Sequence, residues 1–409
     1  MSASPAPLKV VESTDEFGFR TVLNRQRLAF ETERYPSYQL RHSRLQQLKQ
    51  MLHGHREQIV EALMRDFGHR SREETLIAEI ASTVAHIEYV SKNLANWMRP
   101  KARSTSIWFL PGSNRIQAQP LGVVGVMVPW NYPINLALVP LIAAMAAGNR
   151  VMIKMSEYTP ASTKLLRNML RQVFPEDLVA VFGGDAPASA AFSALPFDHL
   201  MFTGSTAVGR KVMQAAAPNL TPVTLELGGK SPVIIGADAD LEEAAERILW
   251  GKVFNAGQTC VAPDYLLVPR GSAREIALQM GRAYARFLPE GASGADYSAI
   301  IDQRNYDRLS QTLELARSSC EEVLPLEPLT PALSQARKLP TTLLINPAAD
   351  SRVMREEIFG PLLPIIEVDD VGEAVDRVNS GDRPLALYYF GHSEREQDFV
   401  LRNTHAGGV

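Results

Sequence analysis

Between residues 123 and 216 the sequence alternates short, almost wholly apolar runs with longer helical stretches, a pattern few folds accommodate. The apolar runs are 123–128, 151–153, 178–182 and 199–202, and the helical stretches are 134–147, 160–172, 188–193 and 206–216. A strand without a polar face has to be covered on both sides, and helices between such strands act as crossovers of a parallel sheet. The expected fold is therefore α/β, with ligands met where strand ends run into loops. A second α/β region begins near Val223, with strands expected at 233–235, 265–268, 343–345, 363–368 and 385–390. Helices are expected there at 241–253, 273–287 and 371–378, and loops at 289–294 and 325–340.

Ahead of the first alternation stand a proline-containing tail, a mixed segment that suits a helix, and two long amphipathic stripes. Leu45, Leu48, Leu52, Ile59 and Leu63 mark the first stripe; Leu76, Ile80, Val84, Ile87, Val90, Leu94 and Trp97 mark the second. Recurrence at three and four residues gives each helix an apolar face that needs a partner layer. Residues 101–120, with Trp108, Phe109 and Leu110 before a Pro-Gly-Ser-Asn turn, suit two short extended arms, either an ordinary surface hairpin or an excursion toward another chain. The domain reading is 1–100 with 121–225 as one unit, 101–120 as an arm, and 226–409 as a second unit.

Composition serves to exclude. A formal net charge of −3 gives no general attraction for nucleic acid. Two cysteines, Cys260 and Cys320, argue against a disulfide scaffold or a four-cysteine metal site, and favour a reduced, cytoplasmic chain. The most apolar stretch, 134–147, is interrupted by Pro140 and is too short to span a membrane. The histidines, His53 and His55 included, form no ligand cluster, and no metal is assigned.

Several strand-end motifs carry groups suited to chemistry. Phe-Asn-Ala-Gly-Gln-Thr-Cys at 254–260 places Cys260 at a helix-to-strand junction, where a sulfur can face a cleft; the alternative is a small buried hydrophobe. Asn131, in Pro-Trp-Asn-Tyr-Pro at 129–133, either caps the following helix or donates its amide to an oxygen that becomes negative. Lys154 and Glu157 follow the next strand and suit polyol hydroxyls, Glu157 discouraging a ribose phosphate by like charge; the alternative is a salt-bridged surface turn. Gly204 and Ser205 open a helix whose first N–H groups face an anion. Glu226 lies between leucines, which predicts a partly buried carboxylate, either able to act as a base or a paired structural glutamate before the two-glycine bend. Glu357 and Phe359, in a compact turn, suit ribose hydroxyls and a flat ring, or else turn packing. Cys320, beside Glu321 and Glu322, has neighbours that disfavour a thiolate.

Taken in order, Pro-Trp-Asn-Tyr-Pro (129–133), Phe-Thr-Gly-Ser (202–205), Leu-Glu-Leu-Gly-Gly-Lys (225–230), Gly-Gln-Thr-Cys (257–260) and Glu-Glu-Ile-Phe-Gly-Pro (356–361) resemble the NAD(P)-dependent aldehyde dehydrogenase superfamily from about residue 20 onward. The short N-terminal region is similar to its class 3-related branch and to the coniferyl aldehyde dehydrogenase-like group. The resemblance implies a modified Rossmann cofactor domain, an α/β catalytic domain and a β oligomerisation arm. It implies Cys260 as nucleophile, Asn131 as oxyanion donor and Glu226 as general base. Trp130, Lys154, Glu157, Gly204, Ser205, Glu357 and Phe359 would face the cofactor, NAD with NADP also admitted. The implied partners are a small aldehyde, aromatic by the subgroup, and a second copy of the chain in a homodimer. Family members continue past residue 409, so a shortened catalytic side, weaker assembly and lower activity are expected. Two other readings stand beside oxidation to the acid: a coenzyme A-acylating enzyme, and a catalytically weak structural or interaction protein.

Overall fold

The computed structural model describes residues 18–409; the proline-containing tail lies outside the described residues. The mixed segment after it is helical over Phe19–Thr32. Thirteen strands are labelled in chain order. β1 (Lys101–Arg103) and β2 (Asn114–Ile116) form an antiparallel arm whose residues are exposed, Ile107, Trp108, Phe109 and Leu110 among them.

β3 (Val123–Met127), β4 (Arg150–Lys154), β5 (Val179–Phe182), β6 (His199–Gly204) and β7 (Val223–Leu227) make one parallel sheet in the order β5-β4-β3-β6-β7. Alternate residues of β3 and β4 face opposite layers. Val124, Val126, Val151 and Ile153 pack with helices Tyr38–Gly54, Ser82–Trp97, Asn135–Ala147 and Pro160–Val173. Val123, Met127 and Met152 pack with Phe19–Thr32, Ala186–Ser193 and Thr206–Ala216. The apolar runs are apolar throughout because both faces are covered. The chain winds outward from β3 in both directions, so the β3–β6 boundary is a switch point, where loops splay and leave a crevice.

A short passage, 228–231, leads to the second sheet. Its strands are β8 (Pro232–Ile235), β9 (Tyr265–Pro269), β10 (Glu322–Pro325), β11 (Thr342–Ile345), β12 (Leu362–Val368) and β13 (Tyr388–Phe390), in the order β10-β11-β12-β9-β8-β13. β10 runs antiparallel to β11, and the other pairs are parallel.

The structure departs from the sequence reading in a few places. The helix Gln303–Ala316 and the strand β10 were not expected, and a short helix, Pro331–Gln335, interrupts the loop at 325–340. β13 starts only at Tyr388, because Ala386 pairs instead with Gly408 in an isolated bridge. The second stripe is broken by a π-helical turn, Leu76–Ala81, before Ser82–Trp97. The wider turn rotates the stripe, leaving Trp97 exposed and carrying Glu79 into the interior.

Candidate active site

The helix Leu241–Val253 delivers the chain into a tight turn, Phe254–Gly257. Asn255 (φ 51°, ψ 32°) and Ala256 (φ 50°, ψ 37°) are both left-handed, a conformation that costs side-chain-bearing residues about 1–3 kcal/mol each. Gly257 follows at φ 72°, and a Cβ there would strike the carbonyl of Gly360. A buried polar network holds this unfavourable backbone. The Asn255 N–H donates to Glu74 Oε1 at 2.8 Å, and its side-chain amide donates to the carbonyls of Gln258 (3.1 Å) and Asn131 (3.3 Å). Gln258 donates to Asn255 and Ala299, both at 3.0 Å, and its Oε1 accepts from the Ile301 N–H at 3.0 Å. The loop then releases Cys260 as a free, partly exposed cysteine.

Asn131 is 3% exposed, and its Nδ2 donates to the Gln258 carbonyl at 3.2 Å. It does not cap the helix Asn135–Ala147, so the capping alternative is set aside. That task falls to Glu79, whose carboxylate accepts the N–H groups of Ile134 (3.1 Å) and Asn135 (2.6 Å). Asn131 is thereby joined to the loop that carries the cysteine.

Burial pushes the Cys260 thiol above its ordinary range, and the negative neighbours Glu357 and Glu226 push it the same way. Glu357 is itself raised to about 7, chiefly by burial, although it accepts the Gly229 N–H. A Cβ on Gly228 would collide with the Glu357 carboxylate, so the two-glycine bend is what lets this group approach. Glu226 differs from expectation: it is exposed. β7 is an edge strand whose Leu225 and Leu227 pack on the core, and the alternation turns Glu226 the other way. Lys230 joins the two motifs by pairing with Asp264 and donating to the Val353 carbonyl at 2.8 Å, while Asp264 accepts the Ile358 N–H at 2.9 Å.

Cys260 opens on an apolar cavity of about 870 Å³, walled by Tyr132, Trp250, Phe254, Phe287, Tyr388 and Phe390. Trp250 and Phe254 lie 5.0 Å apart between ring centroids, and Phe254 stacks near Tyr132 at 6.5 Å. A larger groove of about 1310 Å³ follows the carboxyl ends of β3, β4 and β6. Trp130, Lys154, Glu157, Gly204 and Ser205 line it, as do Arg304, Arg308 and Arg352 from the second half of the chain. Lys154 is buried, which lowers its basicity, and its ammonium donates to the Met155 and Gly184 carbonyls. Ser205 caps its own helix by accepting the Val208 N–H at 3.4 Å. Phe359, held at φ 47°, meets Trp130 edge-on at 5.3 Å. Glu357 stands on an adjoining cavity with Gly228. An exposed carboxylate, a buried ammonium, a helix start and apolar walls at a sheet switch point fit a dinucleotide. No cluster of metal-ligating side chains occurs among the described residues.

Sequence reasoning passed over Arg70, Glu74, Glu79, Asn255 and the role of Gln258. The one signal was Glu79 falling between Leu76 and Ile80, a charge placed on an apolar stripe.

Fold and geometry together fit a nucleotide-dependent enzyme with a free cysteine on an apolar cavity beside the nucleotide groove. The sequence model of the Aldehyde dehydrogenase family matches residues 7–409. The chain belongs to that family. A "Probable coniferyl aldehyde dehydrogenase" of Pseudomonas aeruginosa is 50% identical over 385 residues, covering 94% of this chain and 80% of that one. A "Coniferyl aldehyde dehydrogenase" of a Pseudomonas species is 44% identical, covering 95% of this chain and 81% of its own length. The substrate-bound structure of Staphylococcus aureus AldH superposes with a TM-score of 0.89 at 34% identity, over 95% of this chain and 84% of that one. The protein is thus an NAD(P)-dependent enzyme that oxidises an aldehyde to its acid. Among the described residues no helix is long and apolar enough to cross a membrane.

Proposed function

We propose that the substrate is an aromatic aldehyde of the coniferyl aldehyde kind, oxidised through a thioester on Cys260. The observation that carries this reading is the aromatic cavity at the Cys260 sulfur, whose six rings suit a flat guest. Two relatives whose names specify coniferyl aldehyde support it. The Cys260 thiolate adds to the carbonyl carbon, and the new oxyanion is met by the Asn131 amide and the Cys260 N–H. Bound NAD(P) supplies the hydride acceptor. As the oxyanion collapses, Cys260 holds the acyl group as a thioester. Glu226 takes a proton from water, the water adds to the thioester, and the acid leaves as the thiolate is restored.

In this reading residues 1–100 and 121–225 bind the cofactor, 226–409 carry the chemistry, and 101–120 form the oligomerisation arm of a homodimer. The exposed apolar tip at Ile107–Phe109 supports the last point. Trp130, Lys154, Glu157, Gly204, Ser205, Glu357 and Phe359 contact the cofactor, and Glu157 favours NAD while NADP is also accepted. The two free cysteines support a reducing, cytoplasmic setting. An aldehyde panel run with NAD and NADP, measuring acid and reduced cofactor, tests the proposal. Aromatic aldehydes should give equal amounts of both without coenzyme A. Turnover confined to short aliphatic aldehydes, or dependent on coenzyme A, contradicts it.

A further inference from the structure

The Asn131 loop is gripped from behind by a side chain that the reaction as drawn leaves idle. Arg70 is 0% exposed, and its Nη1 donates to the Asn131 carbonyl at 2.6 Å. Its guanidinium carbon lies 4.6 Å from the Phe67 ring centroid and 4.9 Å from that of Tyr132, the residue after Asn131. The nearest carboxylate, Glu79, is also fully buried, yet its Oε1 stands 4.0 Å from Arg70 Nη2. Neither of those two atoms, nor Arg70 Nε, has a hydrogen-bond partner among the described residues.

As a device for stability this arrangement is poor. Burying a charge costs several kcal/mol, and a loose ion pair returns little of it; apolar residues of the same volume commonly do as well or better. What the arrangement supplies is direction. The one short hydrogen bond from Arg70 ends on the Asn131 main chain, and the Glu79 carboxylate holds the N–H groups three and four residues further on. Five residues before Glu79, Glu74 accepts from Asn255 in the cysteine loop and from the Ser298 hydroxyl at 2.6 Å. One short segment, residues 70–79, therefore touches both loops whose relative placement the oxyanion requires.

We propose that Arg70 is a positioning residue that acts through Asn131, its grip on the main-chain carbonyl setting how the Asn131 carboxamide faces the Cys260 sulfur. The inference rests on the reading of Asn131 as oxyanion donor. It adds that the donor's geometry is imposed by a buried cation outside the reacting groups.

A double-mutant cycle read by the pre-steady-state burst of reduced cofactor tests it. N131A alone should slow the burst by roughly 10²–10³-fold, the scale of a lost oxyanion donor. R70M should slow it by about 10–100-fold, as small misplacements do, with KM for NAD unchanged. R70K, which still donates to the carbonyl, should recover most of the loss. In the N131A background R70M should cost less than about twofold, because the group it positions is gone. An R70M effect of equal size in both backgrounds overturns the inference and leaves the reading of Asn131 intact. A normal burst in N131A overturns that reading itself, and the inference with it. If R70M does not fold, the same cycle built on R70K decides, with its smaller loss vanishing in N131A or persisting unchanged.

Discussion

The two motifs that meet at the sulfur are held in opposite ways. The Phe254–Gly257 turn is largely buried, left-handed at two non-glycine residues, and tied by the Glu74 and Gln258 side chains and the Asn131 main-chain carbonyl. The end of β7 belongs to an edge strand with Glu226 exposed and turned away from the core. A network that over-determines a strained loop fixes Cys260, the proposed nucleophile, before any substrate arrives. An exposed glutamate on an edge strand suits the part proposed for it, a base needed only after the first product has formed. The difference teaches that backbone strain is concentrated in the buried loop before Cys260 and absent from the exposed edge strand that carries Glu226.

The sharpest way to break this comparison is to remove the sulfur. C260A should lower aldehyde oxidation by at least about 10⁴-fold, the scale of losing a nucleophile, as measured by steady-state formation of reduced cofactor. E226Q should slow deacylation by about 10²-fold, within the usual range for a general base, while the burst persists. Because Glu226 is exposed, its melting temperature should stay close to that of the wild type. N255A should behave in the reverse sense. It removes two buried hydrogen bonds, those to the Asn131 and Gln258 carbonyls, and should lower unfolding free energy by about 2 kcal/mol in a urea titration.

Two pH effects sharpen the contrast further. The Cys260 thiol is raised by burial and by Glu357. Alkylation of the free enzyme by iodoacetamide should therefore climb with pH beyond the ordinary thiol range, and E357Q should move that curve to lower pH. The smallest effect concerns stability. Glu79 and Glu357 rise from 4.5 to about 7 on folding, each mainly through burial. Both bind a proton more tightly in the folded chain than in the unfolded one. Their contribution is present in full below about 4.5 and is lost as pH rises through about 7. E79Q, which can still accept the two helix N–H groups, should flatten that fall in a series of melting temperatures across the same range.

The sequence was most informative where one kind of periodicity dominated. The doubly covered strands β3 and β4 announce themselves because residues 123–127 and 151–153, which face the two layers, are all apolar or glycine. The helices Leu241–Val253 and Ala273–Phe287 were legible to the residue from their apolar spacing. Motif order brought Cys260, Asn131 and Glu357 into view before any coordinates. What escaped was whatever depends on two distant segments meeting. Nothing beside Glu74 indicates that its carboxylate serves a backbone N–H at Asn255, 181 residues away. The π-helical turn was equally invisible, since one residue added to a helical turn leaves an apolar stripe that still scans as a helix. Glu226 misled for a simpler reason. Leucines on both sides suggest burial, but in a strand those neighbours point to the opposite face.

The central claim is that the acyl group sits on Cys260 and waits there for Glu226. Its most direct test is peptide mass spectrometry of E226Q quenched during turnover of an aromatic aldehyde with NAD. The account predicts one acyl adduct, on the peptide containing Cys260, present in the amount of the burst. A burst with no adduct on that cysteine, or an adduct on another residue, would contradict it.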